Sequence, residues 1–79
     1  MSDNNTYKVK DLYLSAYIYA SQKPLLRVER EGSTCWFVYG DKASCEALAS
    51  AYWANTAVGN VKAIVDAIRS LKDLVFAQR

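Results

Sequence analysis

Histidine is absent from this 79-residue chain, which removes the commonest general base near neutral pH and the commonest metal ligand. Its two cysteines, Cys35 and Cys45, cannot complete a four-ligand zinc site without histidine, so no metal or other cofactor is expected. Two thiols are also too few for a disulfide-rich secreted scaffold, and a cytoplasmic protein with reduced thiols is the expectation. One proline and three glycines leave no room for long linkers or low-complexity tracts. Gly32, Gly40 and Gly59 are isolated, so no glycine-rich phosphate cradle exists. Lys and Arg recur along the chain, and no apolar run approaches the roughly 18 residues of a membrane span. The polar start Met1–Tyr7 carries no targeting pattern.

What remains is rich in apolar and aromatic side chains. Hydrophobic residues make up 52% of the chain, six of them tyrosines, against 23% charged residues and a net charge of +2. Such a chain folds as one small domain. A domain this short buries only about 60% of the surface its unfolded chain exposes, so a staple, a partner subunit or a very tight core is expected.

Residues 1–6 read as a disordered tail, followed by one domain over 7–79. Tyr7–Val9 alternates and is a candidate short strand. Asp11 is placed to cap a helix over about 12–21, which Lys23-Pro24 stops. That helix has few polar atoms, so more of its circumference must be covered than a one-sided surface helix needs. Leu25–Arg30, the turn signal Glu31-Gly32 and Thr34–Tyr39 read as a hairpin over about 25–39. Two registers stand open. A turn of two or four residues pairs Val28 with Cys35 and Leu26 with Phe37, leaving Arg27 beside Trp36 on the other face. A three-residue turn pairs Val28 with Trp36 and Leu26 with Val38, sending Trp36 into the core. Asp41 caps a second helix over about 43–54 with Cys45, Leu48, Ala49 and Tyr52 facing one way. Asn60 caps a third over about 61–76, with Val61, Ile64, Val65, Ile68, Leu71 and Val75 at core spacing. On its other face Lys62, Asp66, Arg69 and Asp73 pair as solvated charges. The fold class is therefore α+β, a small antiparallel sheet packed with three helices.

The string Asp11-Leu12-Tyr13-Leu14-Ser15-Ala16-Tyr17 carries a resemblance, together with Val28-Glu29-Arg30 through Trp36-Phe37-Val38, the triplet Ala51-Tyr52-Trp53 and the ending Ala67 through Phe76. With these residues the chain resembles a family of short bacterial and phage proteins grouped as a domain of unknown function. The resemblance runs from about Tyr7 to Phe76. It implies one compact cytoplasmic domain and no particular activity.

Catalytic chemistry finds no support in these residues. Cys35 lies mid-strand among apolar neighbours and reads as a small buried hydrophobe; Cys45 reads the same way, although a helix's first turn lowers a thiol's pKa. Asp11 and Asp41 are explained by capping, Glu29 and Glu31 by the wet edge of the hairpin, and Asp66 and Asp73 by helical pairs. The expectation is a protein that is not an enzyme. Aromatics point in more directions than one small core absorbs, and Tyr and Trp are enriched at interfaces. Self-association as a homodimer, or binding of another protein, is therefore expected through Tyr13, Tyr17, Trp36 and Trp53, with Arg27 as polar anchor. The alternative is DNA or RNA binding through Lys23, Arg27, Arg30, Trp36 and Lys42, with Trp36, Phe37 and Tyr39 offering stacking. Glu29, Glu31 and Asp41 in the same region weaken that footprint. The first helix has no basic face, so no membrane role is assigned to it.

Overall fold

The computed structural model describes residues 5–77. Strand β1 (Tyr7–Val9) leads into helix α1 (Leu12–Ala20), the hairpin strands β2 (Leu25–Glu31) and β3 (Thr34–Tyr39), then helices α2 (Lys42–Trp53) and α3 (Val61–Ala77). The sheet is antiparallel in the order β1-β3-β2, so the short leading strand supplies the third member that a bare hairpin needs. The expected α+β class and all three helices are present. Of the expected N-terminal tail, residues 1–4 lie outside the described residues, while the Asn5 side chain accepts a hydrogen bond from the Lys42 backbone N–H at 3.3 Å.

Capping explains where the helices begin. Asp11 accepts from the backbone N–H groups of Tyr13 and Leu14 at 2.9 and 3.0 Å, Asp41 from Ser44 at 3.4 Å, and Asn60 from Ala63 at 3.0 Å. Helices α1 and α2 are followed by Gln22 and Asn55 in the left-handed region, at φ 69° and 61°, which turns the chain out of each helix.

Helix α1 is the centre of the molecule. Leu14 through Ile18 are buried in succession, which matches the scarcity of polar atoms on this helix. Its one buried polar residue, Ser15, meets the phenol of Tyr39 from β3. Tyr39 donates to the Ser15 carbonyl at 3.0 Å. Its single proton is thus committed, so the Ser15 hydroxyl is the donor in the 2.8 Å bond between the two side chains. Around this pair Val9, Phe37, Cys45, Ala49, Ala67 and Leu71 close the core.

The hairpin register differs from both alternatives read from the sequence. Val28 pairs with Phe37, Glu29 with Trp36 and Arg30 with Cys35, so the two-residue turn is Gly32-Ser33 rather than Glu31-Gly32. Gly32 has φ +63°, the conformation that the first position of a tight hairpin turn demands. A register irregularity lies between Leu25 and Arg27. Leu26 therefore pairs with neither Phe37 nor Val38 and is 51% exposed. Side-chain alternation follows the first alternative all the same: Val28 and Phe37 face the helices, and Trp36 faces away with Arg27 and Glu29.

Helix α3 also departs from its expected stripe. Ala67 and Leu71 are its buried residues, while Val61 and Val65 are 76% and 43% exposed. Asp66 pairs with Lys62 at 3.0 Å and Arg69 at 3.9 Å. Asp73 makes no ion pair among the described residues.

Candidate functional site

The residues expected to form one patch belong to two separate surfaces. Tyr13 and Tyr17 of α1 and Trp53 of α2 gather on the helical side. Trp36 and Arg27 lie on the outer face of the sheet, turned away from the core.

The helical surface is built on a chain of contacting aromatic rings. Tyr17, itself largely buried, has its ring centroid 6.1 Å from that of Tyr52, and Trp53 meets Tyr52 edge-on at 5.0 Å with an interplanar angle of 84°. Tyr13, Tyr17 and Tyr52 wall a cavity of about 270 Å³ with Ala57, Val58, Gly59 and Ile64. Gly59 allows this closeness, because a Cβ there would stand 3.3 Å from Ile64 Cδ1 and 3.9 Å from Tyr17 Cε1. Helical spacing puts Val61, Val65 and Ile68 in one stripe with Ile64. The outcome is an apolar surface whose members Tyr13, Trp53, Val58 and Val61 are 58%, 65%, 85% and 76% exposed. No Asp, Glu, Lys or Arg is among the residues named on it. Sequence reasoning missed Val58 and misplaced Val61; the signal was an apolar residue in a loop just before Gly59, and another at the first position of a helix.

The outer sheet face is a charged lattice around one indole. Lys8 and Lys10 hold their ammonium groups over the Trp36 ring, 5.4 and 5.8 Å from its centroid. Glu29, cross-strand from Trp36, accepts from Arg27 Nε at 2.7 Å and lies 3.2 Å from Lys8 Nζ. These two contacts, Arg27 first, hold its carboxyl below the usual carboxylate range. Val38, flanked by Lys8 and Arg27 in the register, is fully buried on this face although it lies outside the main core. The Trp36 indole N–H is shut off from solvent and has no hydrogen-bond partner among the described residues.

The alternative basic set is dispersed. Arg30 is exposed near the turn, its Nε donating to the Gly32 carbonyl at 3.1 Å. Lys23 and Lys42 belong to the opposite end of the sheet, where the Gly40 N–H donates to the Pro24 carbonyl at 3.0 Å. Phe37 and Tyr39, expected to offer stacking, are 2% and 0% exposed and belong to the core.

The Cys45 thiol is not set up as a nucleophile. Burial, and then the nearby Asp41 carboxylate, pushes the Cys45 thiol up, opposite to the lowering expected from the helix start. Its S–H donates to the Gly40 carbonyl at 3.4 Å. Cys35 is half-buried rather than fully buried and lines a separate cleft of about 540 Å³ between the hairpin and the end of α3. Among the described residues no cluster of three or more Cys, Asp or Glu could hold a metal ion. No helix among them is long and apolar enough to cross a membrane.

Searches of family models, curated proteins and solved structures find no match to this chain.

Proposed function

We propose that this chain is a small non-catalytic binding protein that acts through a macromolecular interface, and that its first partner is a second copy of itself. The observation that carries this reading is the apolar surface on which Tyr13, Trp53, Val58 and Val61 all stand more than half exposed. Contiguous apolar exposure of this kind marks an interaction site on a small protein. A twofold dimer presents the same surface on both subunits, and a face whose named residues include no Asp, Glu, Lys or Arg meets itself without like-charge repulsion. Burial of those side chains also adds to the modest core that 79 residues can build. Light scattering behind size exclusion at micromolar concentration is expected to give twice the 8.9 kDa chain mass, and Val58→Asp to return it to one chain mass. A clean wild-type monomer at high concentration would overturn the dimer.

A second reading, binding of DNA or RNA, is favoured by one observation on the other surface. Lys8 and Arg27 occupy Glu29, which reduces the repulsion an acidic group would exert on phosphates beside Lys10. Phosphate contact suits this arrangement better than base stacking, because two ammonium groups already cover the Trp36 ring. The reading predicts a mobility shift that weakens steeply with salt. No shift at low salt removes it.

A further inference from the structure

The cleft between the hairpin and the end of α3 shares Lys10 with the outer sheet face but is otherwise lined by different residues. Its volume of about 540 Å³ falls within the range of small-molecule sites, about 300–1,000 Å³. Leu12, Phe37, Val75 and Phe76 supply apolar walls, and among the described residues the only charged side chains lining it are Lys10 and Lys72. Both lysines are exposed, and neither has an ion pair among the described residues. This contrasts with Lys8, Lys62 and Arg69, each set against a carboxylate. Lys10 also stands over the edge of the outer face, its ammonium 5.8 Å from the Trp36 centroid, a contact that leaves its charge without a counter-ion among the described residues. An apolar hollow with two such cations and, among the described residues, no carboxylate in its lining is complementary to one class of molecule, an apolar body with a single anionic head.

The geometry points to this cleft as a binding site for a free medium-chain carboxylate, its alkyl chain against Phe37 and Val75 and its carboxylate between Lys10 and Lys72. A dianion such as inorganic phosphate leaves the apolar walls unused, and a cationic amphiphile meets repulsion at both lysines. The assignment is independent of the tyrosine surface proposed for dimerisation.

Titration calorimetry of the full chain with decanoate, below its micelle concentration, tests the site. Saturable binding at one site per chain is expected, with decyltrimethylammonium at least about tenfold weaker. The double variant K10E/K72E changes exposed side chains, removes one of the two ammonium groups over Trp36, and is expected to weaken decanoate by about tenfold or more with only a small loss of thermal stability. N-ethylmaleimide offers a second arm, because Cys45 is fully buried and Cys35, which lines the cleft, is the accessible thiol. Alkylation is expected to abolish binding in the wild type and to leave the C35S variant binding as before. V58D, directed at the dimer surface, is expected to bind decanoate as the wild type does, so failure of the dimer reading and failure of this one are distinguishable. Absence of decanoate binding overturns the assignment. So does equal binding of the cationic amphiphile, or affinity that survives both charge reversal and alkylation. Loss of the dimer on K10E/K72E without any decanoate binding overturns it in favour of a second copy as occupant.

Discussion

Tyr39 and Trp36 lie on the same strand, and each is a large aromatic with one polar handle, yet the two faces of β3 treat those handles differently. On the inner face the Tyr39 hydroxyl donates to the Ser15 carbonyl and accepts from the Ser15 hydroxyl. On the outer face the Trp36 N–H is buried without a hydrogen-bond partner among the described residues, and the ring is held by the charges of Lys8 and Lys10. The inner face is thus specified by close packing and a satisfied polar pair, which tolerate little change. The outer face is held by exposed ion pairs and cation–π contacts, each worth little alone, and can be rewritten for binding at small cost to folding.

The widest separation between the faces is expected from truncating neighbouring aromatics. Phe37→Ala removes a ring from the closed core and is expected to cost about 3–5 kcal/mol by urea denaturation. Trp36→Ala is expected to cost only about 1–2 kcal/mol, because its ring is half-exposed and its N–H forfeits no hydrogen bond. Equal losses would break the distinction.

Removing only the polar handles sharpens it. Tyr39→Phe strands the Ser15 hydroxyl in the core and is expected to cost about 1–3 kcal/mol. Trp36→Phe removes an unpaired donor and is expected to leave stability unchanged or slightly raised. The tyrosine also carries a pH signature. Burial pushes its phenol up to about 12 from an ordinary value of 10.0, so folding favours the protonated form. That stabilisation is complete below pH 10 and is lost as pH rises through about 12. Thermal melts across this window are expected to fall more steeply for the wild type than for Tyr39→Phe. Parallel slopes would mean that the phenol ionises without opposing the fold.

Much of this organisation was legible in the residues. Asp11, Asp41 and Asn60 announce the three helix starts, and the apolar circumference of α1 announces its central place. The turn was not legible, for a reason that lies in the period of a strand. Shifting the pairing by two residues moves Val28 from Cys35 to Phe37 and leaves every side chain on the same face, so alternation is blind to the choice. Only the left-handed backbone at Gly32, first in the turn, selects the observed pairing. The candidate surfaces were half legible. Surplus aromatics signal exposure at Tyr13 and Trp53, but helical spacing assigns Val61 to the core, and only the packing of α3 against α1 leaves it outside.

The turn therefore decides which residues meet across the hairpin, and Gly32→Ala tests how firmly. Nothing lies within 4 Å of a Cβ built there, so the cost comes from the left-handed φ alone and is expected to be about 1 kcal/mol. Amide exchange is expected to rise first in β2 and β3 next to the turn, with the Val28 to Phe37 pairing retained. A slip to the pairing of Val28 with Cys35 would mean that the turn alone holds the register.

The smallest effect is expected at the outer ion pairs, and its direction is fixed by their chemistry. Arg27 and then Lys8 favour the charged form of Glu29, so its carboxyl titrates below the ordinary 4.5. A lowered value means that the contribution to folding is present above that pH and is lost as pH falls through the native value. Carbon-detected NMR titration of the Glu29 carboxyl is expected to give a midpoint below 4.5 at low salt, moving back toward it in high salt and in Arg27→Gln. Lys8→Gln is expected to move it less, following the order of the two contacts. Because Glu29 is exposed, global stability is expected to change little in any of these variants, whereas the Trp36 resonances are expected to move with the Lys8 substitution that uncovers the ring. A midpoint at or above 4.5 in the wild type would mean that the outer lattice is not formed in solution, and Trp36 would then be held by its packing alone.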